Sequence, residues 1–112
     1  MTQYDVYGGA ITKLANPQAI IDIGSIIYVD ENNNRIQALK ADEVGYIIFR
    51  VINTGDVGLD LVLDMWDLDT GIRLNYAYNC PWLGVAPGAW VSSHVQFTMP
   101  NHNLRFELRL HD

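Results

Sequence analysis

The chain has 112 residues, 49% hydrophobic and 18% charged, a composition that fits one folded domain and excludes a disordered protein. Its net charge of −6 argues against binding to nucleic acid or to anionic membranes, which requires a clustered basic surface. Cys80 is the only cysteine, so an intrachain disulfide is excluded. The low charged fraction also predicts some apolar surface that meets another chain.

The first 18 residues predict an N-terminal arm or edge segment, and residues 19–112 predict a single β-sandwich domain. Gly8, Gly9 and the pair Asn16-Pro17 interrupt the arm, which shows no sustained strand or helix period. Terminal segments are seldom ordered unless something holds them. We therefore expect residues 1–18 to dock on a neighbouring copy. The opening residues also lack the pattern of a signal peptide.

Residues 19–30 are rich in β-branched side chains and predict a strand that is bent or bulged at Gly24-Ser25. The acidic and asparagine-rich residues 31–34 predict a turn. Residues 35–39 then predict a short returning strand. Together these segments form a predicted hairpin ahead of the longest strand of the chain.

Residues 44–53 predict the central strand, because they form the longest uninterrupted alternating run and end in the turn residues Asn53-Thr54-Gly55. Both of its faces are apolar, as expected for a strand that is covered on both sides. One face carries Ile47, Phe49 and Val51, and the other carries Tyr46, Ile48 and Ile52. The second face therefore needs a covering element, either the residue 19–39 hairpin or the arm of another copy.

The rest of the chain predicts four more strands separated by turns. Gly71 is placed for the positive-φ position of a hairpin, residues 79–84 predict an irregular loop containing Trp82, and residues 85–88 predict a turn. The predicted strands are residues 59–68, 72–78, 91–99 and 104–110. The last two alternate apolar and polar residues, so one face of each is expected to contact water. Runs that recur every 8–12 residues favour an all-β sandwich, with a small barrel as the alternative.

Residues 41–110 resemble the immunoglobulin-like modules of prokaryotic and viral surface proteins, of which the CARDB adhesion type is the nearest. The resemblance lies in ADEVGYIIFRVINTGDVG, LVLDMWDLDTGIRL, GVAPGAWVSSHVQFTMPN and the closing LRFELRL. It implies an immunoglobulin-like antiparallel β-sandwich with a role in adhesion, spacing or assembly. It carries over no catalytic residues. The long N-terminal segment and the missing leader depart from the family pattern.

Three chemical sites can be considered from the sequence. The acidic string Asp60, Asp64, Asp67 and Asp69 could attract calcium, but Tyr78 stands where an EF-hand requires its closing glutamate. Cys80 with one of three histidines could form a nucleophile and base, although their spacing indicates no pairing. Zinc would require paired ligand spacings that are absent. The sequence therefore predicts no enzyme, no metal and no cofactor, and it predicts Cys80 as a small packed hydrophobe.

The aromatic side chains are the better functional lead, because tryptophan and tyrosine anchor protein interfaces and can stack on sugar rings. Tyr76 and Tyr78 are expected on one strand face, and Trp66 on the outward side of its strand. Trp82 and Trp90 could instead plug the ends of the sandwich. The interface candidates are Tyr4, Tyr7, Tyr46, Ile48, Trp66, Tyr76, Tyr78 and Trp82.

These features predict a non-enzymatic structural or interaction subunit of a surface assembly. The most concrete version is a viral structural protein, such as a capsid decoration or coat-associated subunit, that forms a homo-oligomer or binds a larger lattice. The alternative is an adhesion or carbohydrate-binding module of an exported protein. The expected location is the virion surface or the extracellular side of a larger assembly, with a possible glycan partner, no nucleic acid and no insertion into a membrane.

Overall fold

The computed structural model describes residues 2–11 and 18–112. In those ranges the chain forms eight β-strands and one 3₁₀ turn at Ile23–Ser25. The strands are β1 (Ala19–Ile21), β2 (Ile27–Asp30), β3 (Val44–Asn53), β4 (Leu59–Asp67), β5 (Ile72–Tyr76), β6 (Trp82–Val85), β7 (Trp90–Thr98) and β8 (Phe106–His111). They make two antiparallel sheets, so the predicted all-β sandwich is confirmed.

The first sheet is built around β3, as the alternation of residues 44–53 predicted. β7 pairs with one edge of β3, from Val44 opposite Thr98 to Ile52 opposite Trp90. β1 and β2 share the other edge and are separated by the 3₁₀ turn. Asp22 caps this turn by accepting a hydrogen bond from the Gly24 amide, which confirms the predicted interruption at Gly24-Ser25.

The second sheet has the same plan around β4. β8 pairs along one edge of β4, and β5 and β6 share the other edge. Gly71 turns the chain between β4 and β5 with φ at 69°, which confirms the hairpin predicted there. Each sheet is therefore three strands wide, with one divided edge.

The core lies between β3 and β4, where both strands turn alternate apolar side chains inward. The sequence expectation for these faces is confirmed, and Phe49 packs edge to face on Trp82 with ring centroids 6.3 Å apart. The fully buried hydrophobic side chains are Ile47, Phe49, Val51, Leu63, Met65 and Val95.

The two sheets are joined directly along one side. After β5 ends at Tyr76, the Ala77 amide donates to Leu63 of the second sheet while Ala77 bridges Val95 of the first sheet. The Tyr78 amide then donates to the His94 carbonyl oxygen. The chain therefore crosses from sheet to sheet at Ala77 and closes the β5–β7 side of the sandwich.

Three local predictions were wrong. Residues 35–39 form no strand, because only Arg35 bridges Val29 before the segment leaves β2. Tyr76 and Tyr78 do not share a strand face, because the crossing at Ala77 brings them to different sheets. Trp82 lies in β6 rather than in an irregular loop, since a turn at Asn79 returns the chain to the edge of β4.

Candidate interaction site

The N-terminal segment 2–11 presents apolar side chains that its own domain does not cover. Tyr4, Val6, Tyr7 and Ile11 are 93%, 77%, 95% and 99% exposed. The domain begins at Gln18, whose carbonyl oxygen accepts hydrogen bonds from Thr54 and Gly55 at the end of β3. Large side chains with this exposure are typical of segments that bind a partner. We call residues 2–11 the arm.

An apolar groove opens on the side of the sandwich opposite to the crossing at Ala77. It has a volume of about 380 Å³ and lies between β2 and the beginning of β8. Tyr28 of β2 and Phe106 of β8 meet edge to face across it, with centroids 5.9 Å apart. A Cβ at Gly45 would lie 2.7 Å from Leu39 Cδ1, so glycine at this position lets the groove wall approach β3. The other principal lining residues are Phe97, Met99, Asn103 and Leu104.

The outer face of the second sheet carries a cluster of aromatic and arginine side chains. The Arg109 guanidinium lies 4.4 Å from the centroid of the Trp66 ring, and Arg73 lies 6.0 Å from the same centroid and 4.2 Å from that of Tyr76. The Trp66 Nε1–H donates to Asp64 at 2.9 Å, which fixes the ring. Trp66 and Tyr76 are thus brought together through Arg73, in a polar aromatic cluster typical of interface anchors.

The outer face of the first sheet brings together two other predicted candidates. Tyr78 stacks on His94 with centroids 5.1 Å apart, and Tyr46 contacts the same imidazole edge to face at 5.7 Å. Tyr46 and Ile48 are half-buried, so neighbouring side chains partly cover the second apolar face of β3. The residue 19–39 hairpin, one of the two coverings predicted for this face, instead pairs along the edge of β3 through β1 and β2.

Trp82, another interface candidate, is only 9% exposed and packs in the core. Its side chain is therefore not available to a partner in the folded domain. Trp90 is the more accessible tryptophan, at 57% exposure, with the Arg50 guanidinium 5.2 Å from its ring centroid. Trp82, but not Trp90, was predicted as an interface candidate, and the pairing of β6 with β4 makes Trp82 the buried one of the two.

The acidic string predicted as a calcium alternative does not converge on one point. Asp60 accepts from the Gly84 amide, and Asp64 binds Trp66 and His111. Within the described ranges, the grouping that could hold a metal ion is Asp67, Asp69 and His102. Hydrogen bonds already occupy these carboxylates.

In that grouping, His102 Nε2 lies 2.8 Å from Asp67 Oδ2, and Arg105 donates two hydrogen bonds to Asp69 Oδ1. Burial raises the pKa of Asp67, but hydrogen bonds from the Asp69 amide, His102 and Thr70 outweigh it and leave that pKa below its usual value. His102 and Arg105 follow the acidic string by more than thirty residues, so its spacing gave no sign of them. The grouping ties the segment before β8 to the β4–β5 turn.

In residues 2–11 and 18–112, the Cys80 thiol forms a hydrogen bond with a backbone carbonyl and with no histidine. Its Sγ lies 3.8 Å from the Leu63 carbonyl oxygen, and the residue packs against the core as a partly buried hydrophobe. His94 stacks on Tyr78, His102 pairs with Asp67, and His111 pairs with Asp64. The sulfur and the three imidazoles therefore lie in separate environments.

His111 connects the end of β8 to β4. Its Nδ1 lies 3.1 Å from the Asp112 carbonyl oxygen, and its Nε2 lies 3.1 Å from Asp64 Oδ2. A neutral imidazole carries one N–H, so both contacts become hydrogen bonds only when the ring is protonated. The Asp112 carbonyl, followed by the Asp64 carboxylate, therefore raises the pKa of His111 above its usual value of 6.5.

We expect this pair to stabilise the fold on the acidic side of neutrality. Because the folded-state pKa is raised, the stabilisation is complete below the unfolded-state pKa and is lost as the pH rises through the folded-state value. The His111→Gln variant should lack it. When the pH is raised from about 5.5 to 8, the melting temperature of the wild type should fall by about 1–4 °C more than that of the variant. Equal pH dependence of the two melting curves would contradict this assignment.

Searches of protein-family models, curated proteins and solved structures give no match to this chain. No helix in the described part of the chain is long and apolar enough to cross a membrane.

Proposed function

We propose that this protein is a non-enzymatic structural subunit that assembles by docking its N-terminal arm on another copy of itself. The observation that carries the proposal is the exposure of Tyr4, Val6, Tyr7 and Ile11 in a segment that forms no helix or strand and lies outside the sandwich. An arm exchanged between copies is a low-cost route to an oligomer, because each contact repeats between identical chains. The setting we propose is a virus particle, where a capsid decoration or coat-associated subunit repeats over a lattice.

The polar side chains of the sandwich support a structural role. His102 and Arg105 bind the acidic β4–β5 turn, and His111 binds Asp64 on the neighbouring strand. These pairs connect elements that are distant in sequence. The arginine and aromatic cluster on the second sheet supplies a further surface of the kind that anchors protein contacts.

The alternative is an adhesion or carbohydrate-binding module, and the exposed rings of Tyr78 and Trp90 favour it. Tyr78 is 60% exposed and is held flat by its stack on His94, an arrangement that a sugar ring could extend. Trp66 suits this role less, because a sugar on its ring would have to displace Arg109. Glycan binding that disappears in Tyr78→Ala, with the fold retained, would favour the alternative.

The proposed assembly predicts that the full chain associates at high micromolar concentration and that the arm is responsible. Replacing Tyr4 and Val6 with serine should weaken association about tenfold or more, because two apolar side chains lose their burial on the partner. Sedimentation velocity over a concentration series measures this effect, and circular dichroism checks the fold.

Ile23→Ser is the matched control, because Ile23 is also an exposed apolar residue, at 83%, but lies outside the arm. This variant should associate like the wild type. A full chain that is strictly monomeric at high micromolar concentration would overturn the proposal. Equal weakening by the arm variant and by Ile23→Ser would also overturn it.

A further inference from the structure

We infer that the acceptor for the arm is the free edge of β8 together with the apolar groove beside it, on a second copy of the chain. The inference rests on the proposed function and identifies its binding site. In the described ranges β8 pairs only with β4, which leaves its other edge without a strand. A free strand edge offers main-chain donors and acceptors to an extended segment.

The groove supplies the apolar contacts that the edge alone lacks. It borders the beginning of β8 and is lined by side chains from β2, β3, β7 and the segments beside them, including Leu39, Phe97 and Leu104. On the opposite side of the sandwich, the crossing at Ala77 joins the sheets and closes the comparable opening. The edge of β2 is also less available, because Arg35 and Ile36 already contact it.

The arm fits this acceptor in length and pattern. Six residues, 2–7, precede the pair Gly8-Gly9, and β8 also has six residues. In an extended strand Tyr4 and Val6 lie on one face, while Asp5 lies on the other. When Tyr4 and Val6 face the groove, Asp5 lies on the same side of the sheet as Arg109 of β8.

The exposure of the arm favours a second copy as the acceptor, because Tyr4 and Tyr7, at 93% and 95%, do not lie on their own domain. Gln18 is fixed beside Thr54 at the end of β3, whereas the groove lies near Gly45 at the beginning of β3. The eight residue steps between Gly45 and Asn53 span about 26 Å in a strand. The arm therefore leaves the domain at the end remote from its own groove.

Thiol cross-linking between two full-length chains tests the acceptor. In a Cys80→Ser background, one chain carries Val6→Cys and the other carries Asn103→Cys at the groove, and a short bismaleimide joins thiols that lie close together. The control partner carries Ile72→Cys on β5, an exposed position at the side of the second sheet remote from β8. We expect the Val6→Cys chain to form a linked heterodimer with the Asn103→Cys chain but not with the Ile72→Cys chain. Mass spectrometry detects the linked product.

The remaining outcomes separate the two proposals. Linking to Ile72→Cys instead of Asn103→Cys would overturn the groove as acceptor and leave arm-mediated assembly standing. No link to either position in a monomeric protein would overturn both proposals. A single chain carrying Val6→Cys and Asn103→Cys that links only within itself would show the arm on its own groove, and it would also overturn both.

Discussion

Replacing Phe49 with alanine should lower the free energy of unfolding by about 3–5 kcal/mol, because the change leaves a cavity at the centre of the core. Phe49 is 1% exposed and packs on Trp82 between the two sheets. Neither sheet can move inward freely, since the crossing at Ala77 fixes their separation along one side. Urea denaturation followed by tryptophan fluorescence measures the loss.

Arg105→Ala is the control for this experiment. The Arg105 side chain is 70% exposed, and its ion pair with Asp69 lies at the surface. Its removal should change the free energy of unfolding by no more than about 0.5 kcal/mol. Similar denaturation midpoints for the two variants would show that the inward and outward faces have been assigned incorrectly.

Replacing Asn53 with aspartate should also lower the free energy of unfolding by about 3–5 kcal/mol at neutral pH. The reason is that the change places an uncompensated charge in the interior. The buried Asn53 amide donates to the carbonyl oxygens of Val57 and Val85 at 2.7 and 2.8 Å, and its Oδ1 accepts from the Gly55 amide. An aspartate would direct a carboxylate oxygen at two carbonyl oxygens. Burial and this repulsion should raise the pKa of the new carboxyl.

The sign of the pH effect follows from that pKa. A carboxyl with a raised folded-state pKa destabilises the fold above its unfolded-state value, and the loss decreases as the pH falls. The urea midpoint of Asn53→Asp should therefore approach that of the wild type as the pH is lowered to about 4. Asn101→Asp, at an exposed position, should show no comparable loss. A neutral effect of Asn53→Asp at pH 7 would refute the role given to this amide.

The parts of the fold that alternation controls could be predicted from the sequence. β3 was found with its bounds because a long strand-like run ends in turn residues, and its buried residues Ile47, Phe49 and Val51 were grouped on one face. Gly71 was predicted at a positive φ for a similarly local reason. The outward polar face of β8 also follows from its alternating charges.

Features that depend on distant partners could not be predicted. Asp64 alternates with the inward residues Leu63 and Met65 on β4, yet it is 4% exposed because His111 and Trp66 cover it. Trp82 was assigned to a loop because Asn79, Cys80 and Pro81 precede it, whereas pairing with β4 makes its segment a strand. Local residue types do not encode either pairing.

The candidate site shows the same division. Residues 1–18 were predicted as an arm because they lack strand alternation; of these, residues 2–11 form no helix or strand, and residues 12–17 lie outside the described part of the structure. The groove was not recognisable, because Tyr28, Leu39, Phe97 and Leu104 come from four separated segments. The predicted tyrosines were also separated by the crossing at Ala77, which has no signature in sequence.

The crossing at Ala77 makes the mechanical behaviour of the sandwich asymmetric. Hydrogen bonds and the continuous chain hold the sheets together along the β5–β7 side, whereas side-chain contacts such as that between Tyr28 and Phe106 hold the opposite side. Regions with fewer buried contacts open at lower free energy than the centre of a domain. Thermal fluctuations should therefore widen the β2–β8 side first, with the β5–β7 side acting as a hinge.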